Sequence, residues 1–152
     1  MNRLAGTDLV VSPLGLGAAG LGGEYGPVAA ETARATVRAA LEAGITLIDV
    51  SPYYGRTAAE SILGEALRGV DRDSYVLATK VGRYDVDSFD FSADRVTRSV
   101  EESLRRLRTD HVDLIQCHDI EFGDLDQIVG ETVPALRTLQ EKGLVGAVGI
   151  TG

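Results

Sequence analysis

The chain has 152 residues with 15 Lys+Arg against 23 Asp+Glu, a formal charge of −8, and ordinary globular proportions of hydrophobic (44%) and charged (25%) residues. Disorder is excluded as the main state, and an acidic chain without a basic block is a poor partner for nucleic acid or anionic membranes. The longest uncharged stretch, residues 9–23, is broken by Pro13 and five glycines, and at 15 residues it falls short of the roughly 20 apolar residues that a bilayer span needs. No basic segment leads into an apolar run at the N-terminus. A single cysteine, Cys117, excludes an internal disulfide framework and a cysteine-rich zinc site, and no metal is expected. The composition is that of a soluble, cytoplasmic protein.

Along the chain, apolar runs and helical patterns alternate, punctuated by 18 glycines. Residues 10–16 form the first apolar run. A helical pattern over 29–43 follows, with Ala33, Val37, Ala40 and Leu41 on one stripe and Gly44 as its stop. Residues 45–50 are apolar without strict alternation, as in a strand buried on both faces. Residues 58–68 read as a helix with Ile62, Leu63, Ala66 and Leu67 inward, and 75–79 as a third strand. Ser92 is placed to cap the next helix, whose Val96, Val100, Leu104 and Leu107 recur at helical spacing. Arg105, Arg106 and Arg108 fall in its last turns, where cations suit the helix dipole. The run 112–117 is a fourth strand. A helical stretch over 125–142, kinked or split by Pro134 and ended by Gly143, leads to a fifth strand at 147–150.

Strands separated by helices at this spacing form a parallel sheet with right-handed crossovers. Two architectures accommodate five such units. An open flavodoxin-like sheet is complete at this length, whereas a (β/α)₈ barrel needs about 250 residues. Length favours the open sheet. The final strand, which has no closing helix after it, favours the first part of a barrel.

Gly15-Leu16-Gly17-Ala18-Ala19-Gly20 matches a dinucleotide-binding fingerprint after an apolar strand. That fingerprint requires a helix to open within the motif, so that its N-terminal N–H groups meet a pyrophosphate. Gly22, Gly23, Gly26 and Pro27 forbid a helix there, and the next acidic candidate, Asp49, stands well beyond the expected spacing of about 20 residues. The motif reads instead as a glycine-rich loop leaving the first strand, with room for a ligand beside it.

Four polar residues fall at carboxyl ends of strands or in the loops just after them. Asp49 and Tyr54 follow the second strand, Lys80 ends the third, and His118 ends the fourth. In a parallel sheet they converge on one face, where barrels and open sheets alike hold their sites. Each alone has an ordinary explanation: a turn aspartate, a solvated lysine, a structural histidine, a packed tyrosine. Together they form a proton-transfer set. Tyrosine, with a reference pKa of about 10, is too weak an acid for neutral pH unless an ammonium stabilises its phenolate. A carboxylate would hold that ammonium, and a histidine would orient a substrate oxygen. With no metal and no nucleophile, a redox step would need a cofactor. Cys117 is expected in the core and His111 in a turn, and the acidic loop of Asp85, Asp87 and Asp90 is expected in solvent.

The arrangement resembles the aldo-keto reductases, and most closely their L-galactose dehydrogenase-type members. The likeness lies in Ser51-Pro52-Tyr53-Tyr54-Gly55, Ala78-Thr79-Lys80, Phe91-Ser92-Ala93, the runs CHDIEFG (117–123) and LDQIV (125–129), and Gly149-Ile150-Thr151-Gly152. It implies an α/β fold, a parallel (β/α) barrel of TIM type. Residues 1–152 would be its N-terminal half, about five strands and four helices, cut after strand five. It further implies hydride transfer between an aldose C1, or another carbonyl or alcohol, and a nicotinamide, NAD or NADP with NAD favoured. Asp49, Tyr54, Lys80 and His118 would be catalytic, with Tyr54 as general acid/base. Gly17, Ala18, Asp49 and Thr151 would border the nicotinamide, while Gly152 departs from an asparagine common in the family. The later strands, which hold most of the dinucleotide in the family, are not in this sequence. Open sheet edges would then leave either an inactive module retaining the tetrad or a homo-oligomer that completes the barrel.

Overall fold

The computed structural model describes residues 1–152. In chain order the elements are β1 (Asn2–Arg3), β2 (Val10–Val11), β3 (Gly15–Gly17), α1 (Ala30–Glu42), β4 (Leu47–Asp49), α2 (Ala58–Ala66) and β5 (Val76–Val81). They continue with β6 (Arg83–Asp85), β7 (Ser88–Phe89), α3 (Ala93–Leu107), β8 (Val112–Cys117), α4 (Leu125–Gln127), α5 (Val133–Glu141) and β9 (Val145–Ile150). The main sheet is wholly parallel in the order β3-β4-β5-β8-β9. That order never reverses, whereas a doubly wound sheet must reverse at its switch point. Helices follow the same succession, α1 packing on α2, α2 on α3, and α3 on α5. The result is a continuous arc of a (β/α) barrel, not an open flavodoxin-like sheet.

The first strand is shorter than the apolar run 10–16 predicts. Pro13 cannot donate to a ladder, and Ser12 instead exchanges two hydrogen bonds with Thr46. Its N–H donates to Thr46 Oγ1 at 2.9 Å, and the Thr46 N–H donates to Ser12 Oγ at 2.8 Å. Val10–Val11 therefore leaves the sheet and pairs antiparallel with Asn2–Arg3, and Gly15–Gly17 alone aligns with Leu47–Asp49.

Strand alternation sorts the barrel's two faces. Ile48 and Val50, Leu77 and Val81, and Ile115 and Cys117 are fully buried in the core that the helices cover. Helices contribute Val37, Leu63, Val96, Val100 and Leu136 to the same core. Asp49 and Lys80 stand at the intervening positions and face the other way. Ser92 caps α3 as predicted, its hydroxyl accepting from the Arg95 N–H. The stretch 125–142 stays helical to Glu141 but widens into a π-helical turn over Ile128–Thr132 just ahead of Pro134. Pro134 then occupies the first turn of α5, where no N–H is needed. No helix is long and apolar enough to cross a membrane.

One buried ion pair locks two helices to the sheet. Gly64 lets α2 and α3 touch, since a Cβ there would overlap the Arg106 carbonyl oxygen. One turn earlier, Glu60 is completely buried and accepts from Arg106 Nε at 2.7 Å and from the Thr79 hydroxyl at 2.6 Å.

Candidate active site

At the carboxyl end of the sheet, β4 releases the chain into a tight loop, residues 50–57. Glycine permits the approach that fixes this loop: Gly55 has φ +58, and a Cβ on it would overlap the carbonyl oxygen of Gly22. Reciprocally, a Cβ on Gly22 would stand 3.0 Å from the Tyr54 backbone. The glycine-rich loop after β3 therefore braces the turn that carries Tyr54. Gly22 alone among the loop's glycines makes this contact, and against expectation a helical turn does open within the motif, a short 3₁₀ turn over Ala19–Gly22 and not an α-helix.

The structure brings all four predicted polar residues together. Lys80, almost wholly buried, donates to both oxygens of Asp49 at 2.7 Å and to the Val50 carbonyl at 3.1 Å. The same ammonium lies 4.9 Å from the centroid of the Tyr54 ring. Tyr54 and His118 meet edge to face, their centroids 5.9 Å apart. Asp49 thus holds the Lys80 ammonium in place beside the Tyr54 ring.

His118 is neutral at ordinary pH. Burial depresses its imidazole to about 4, opposed by Asp119 and reinforced by the Lys80 and Arg83 charges. Its Nδ1 lies 3.1 Å from the Ser51 hydroxyl. Sequence reading missed several neighbours. Arg83 pairs with Asp119 and stacks 3.9 Å from the Tyr53 ring centroid, and Tyr53 in turn packs edge-on against His118. Phe89 and Phe122 stack beyond them at 5.0 Å. The β6–β7 hairpin that supplies Phe89 is invisible as a periodic pattern because its strands are only two or three residues long. Its Asp85, expected in solvent, bonds Arg56 of the Tyr54 loop at 3.0 Å, and Asp90 accepts from the Ser92 N–H at 2.9 Å.

The proposed cofactor contacts fare unevenly. Gly17 is exposed with nothing within 4 Å of where a Cβ would stand, so it leaves open space at the end of β3 beside Asp49. Ala18 does not border that space. Its side chain is fully buried in the core and its N–H donates to the Asp49 carbonyl. Thr151 extends β9 alongside the His118 loop, its N–H donating to the Cys117 carbonyl at 2.9 Å and its carbonyl accepting from Ile120. Gly17 and Asp49 lie side by side at the carboxyl ends of β3 and β4, while Thr151 follows β9 at the other edge of the sheet, and no cluster of three or more His, Cys, Asp or Glu is placed to hold a metal.

Comparison with known proteins decides the family: the model of the Aldo/keto reductase family matches residues 13–152. The chain belongs to the aldo/keto reductases. It is 53% identical to L-galactose dehydrogenase of Arabidopsis thaliana over the whole chain, which is 48% of that protein. It is 40% identical to D-arabinose 1-dehydrogenase of Saccharomyces cerevisiae, covering 93% of this chain and 43% of the yeast protein. An aldo-keto reductase structure from Pseudomonas aeruginosa superposes with a TM-score of 0.88 at 42% identity, over 99% of this chain and 59% of that one. One from Klebsiella pneumoniae in complex with NADPH gives 0.80 at 32%, over 95% and 47%. The chain therefore spans about half the length of the family members it matches, and that half carries the tetrad.

Proposed function

We propose that this chain carries the acid–base machinery of an oxidoreductase exchanging a hydride between the C1 of an aldose, L-galactose or a related sugar, and a nicotinamide. The observation that carries the reading is the Lys80 ammonium, held by both Asp49 oxygens and set against the Tyr54 ring. The nicotinamide supplies the hydride acceptor or donor. Tyr54 takes the proton of the C1 hydroxyl in the oxidising direction and returns it in the reducing one. Tyr54 must be the phenolate before oxidation and is left as the phenolate after reduction; Lys80 stabilises that phenolate, and Asp49 holds Lys80 in place beside it. Neutral His118 donates a hydrogen bond to the sugar oxygen, and the apolar walls of Tyr53, Phe89 and Phe122 receive the sugar's less polar face. Similarity to two sugar dehydrogenases supports an aldose as substrate, and the NADPH-bound structure of a family member supports a nicotinamide dinucleotide. The choice between NAD and NADP is a proposal for NAD.

The test is NAD⁺ reduction with L-galactose by the chain and by Tyr54→Phe. Turnover abolished by the loss of one hydroxyl supports the reading. Equal turnover in both removes Tyr54 from the chemistry. Absence of turnover in the unmodified chain supports the other reading, a module that keeps the tetrad without catalysing alone.

A further inference from the structure

Ser51 is fully buried, and its hydroxyl has a single proton to give. The Tyr53 N–H donates to Ser51 Oγ at 3.1 Å, which occupies one of its acceptor positions. The remaining recorded partner of Oγ is Nδ1 of His118, at 3.1 Å. If Nδ1 carried a proton, Oγ would accept twice and its own hydrogen would be left in the core without an acceptor. A buried donor in that state is expensive, and such donors are rare in folded proteins. If Nδ1 is bare, the hydroxyl donates to it and every group is satisfied. The opposite side of the ring leads to the same assignment. Asp119 Oδ1 lies 3.6 Å from Nε2, and a carboxylate there favours a proton on that nitrogen.

We propose that Ser51 is a positioning residue that fixes His118 as its Nε2–H tautomer. Ser51 then acts through His118 and touches no substrate. Its hydroxyl sets which nitrogen is the donor, and the short link through Tyr53 N–H ties that choice to the loop that carries Tyr54. The importance for catalysis rests on the oxidoreductase reading above, in which His118 must offer a hydrogen to the sugar oxygen; the tautomer itself does not. With Nδ1–H instead, the ring would present a bare nitrogen where a donor is required.

The experiment is a long-range ¹H–¹⁵N spectrum of the histidine side chains at neutral pH, which separates protonated from bare ring nitrogens. The chain has two histidines, so His111→Gln assigns the signals. In the unmodified chain Nε2 is expected to carry the proton. Ser51→Ala shifts the tautomer ratio toward Nδ1–H by about two- to ten-fold, the factor equivalent to one net hydrogen bond. Ser51→Thr, which restores a hydroxyl, returns the ratio. A proton on Nδ1 in the unmodified chain overturns the proposal without any variant, and so does an unchanged ratio in a Ser51→Ala chain whose backbone amide spectrum is otherwise preserved. Because the readout needs no turnover, an inactive enzyme or an indifferent Tyr54→Phe would sink the oxidoreductase reading and leave this one standing.

Discussion

Replacing Arg106 by alanine tests whether the buried pair between α2 and α3 behaves as its geometry requires. The change leaves the Glu60 carboxylate completely enclosed, with the Thr79 hydroxyl as its remaining partner. Breaking a buried pair from one side costs about 3–5 kcal/mol, because the surviving charge can neither reach water nor find a counter-ion. Arg106 is itself about one-fifth exposed, at 20%, so water can enter the space it vacates. The lower end of that range, about 3 kcal/mol, is therefore the expected loss. In a domain of this length it lowers Tm by roughly 6–12 °C and the urea midpoint by about 1 M or more. Urea denaturation followed by circular dichroism measures it. Glu60→Leu combined with Arg106→Leu should recover most of the loss, since a well-packed apolar pair often matches a buried ionic one. Gly64→Ala should also destabilise, by about 1–3 kcal/mol, as its methyl forces the helices apart at the Arg106 carbonyl. It should not add simply to Arg106→Ala, because the two sites share a contact. A loss under about 1 kcal/mol for Arg106→Ala, the range of exposed pairs, would refute the argument from burial.

Three other outcomes are expected. His118 titrates near 4 when folded, against 6.5 ordinarily, so between those values the unfolded chain binds more protons than the folded one. Stability therefore falls as pH is lowered from 6.5 to 4, by about 3 kcal/mol for this group; His118→Gln should flatten that part of the curve, and an unaltered slope would contradict the burial argument. Burial raises the Cys117 thiol to about 11, so iodoacetamide should leave it unmodified at pH 8 in the folded chain and label it promptly in denaturant. Asp113 Oδ2 accepts from Arg72 at 2.6 Å and from the Leu77 N–H at 2.7 Å. Asp113→Ala, which strands the Leu77 N–H while Arg72 keeps Thr109 and the Tyr75 and His111 carbonyls, should cost about 1–3 kcal/mol in urea unfolding, and Asp113→Asn distinctly less.

Much of this molecule is written in local chemistry. The strand 112–117, the Ser92 cap, the helical irregularity ahead of Pro134 and the polar residues at or just past strand ends follow from periodicity, capping and strand termination. The choice between barrel and open sheet was not local. It depends on which strand lies beside which, and a chain of βα units reads the same either way, so length pointed to the wrong side. Glu60 carries no sequence signal of its burial. A glutamate on a helix reads as surface, and only the α3 backbone lying against Gly64, with Arg106 reaching across from it, makes its burial tolerable. Family resemblance alone places Ala18 beside the nicotinamide, but the chain turns there and sends its methyl into the core. Ser51 carries no signal of its own, since its role depends on His118, 67 residues away in sequence.

The contact between Gly22 and Gly55 has a consequence for local unfolding. Where two backbones touch without side chains between them, each shields the other's amides from water, so that displacing one uncovers both. The loop after β3 and the turn after β4 then open as one cooperative unit, although about thirty residues of chain, including α1, separate them. Amide protons on both segments should exchange with solvent at a common rate set by a shared opening free energy. A molecule settling beside Gly17 would slow that exchange at Tyr54 too, so occupancy of one loop would be legible in the protection of the other.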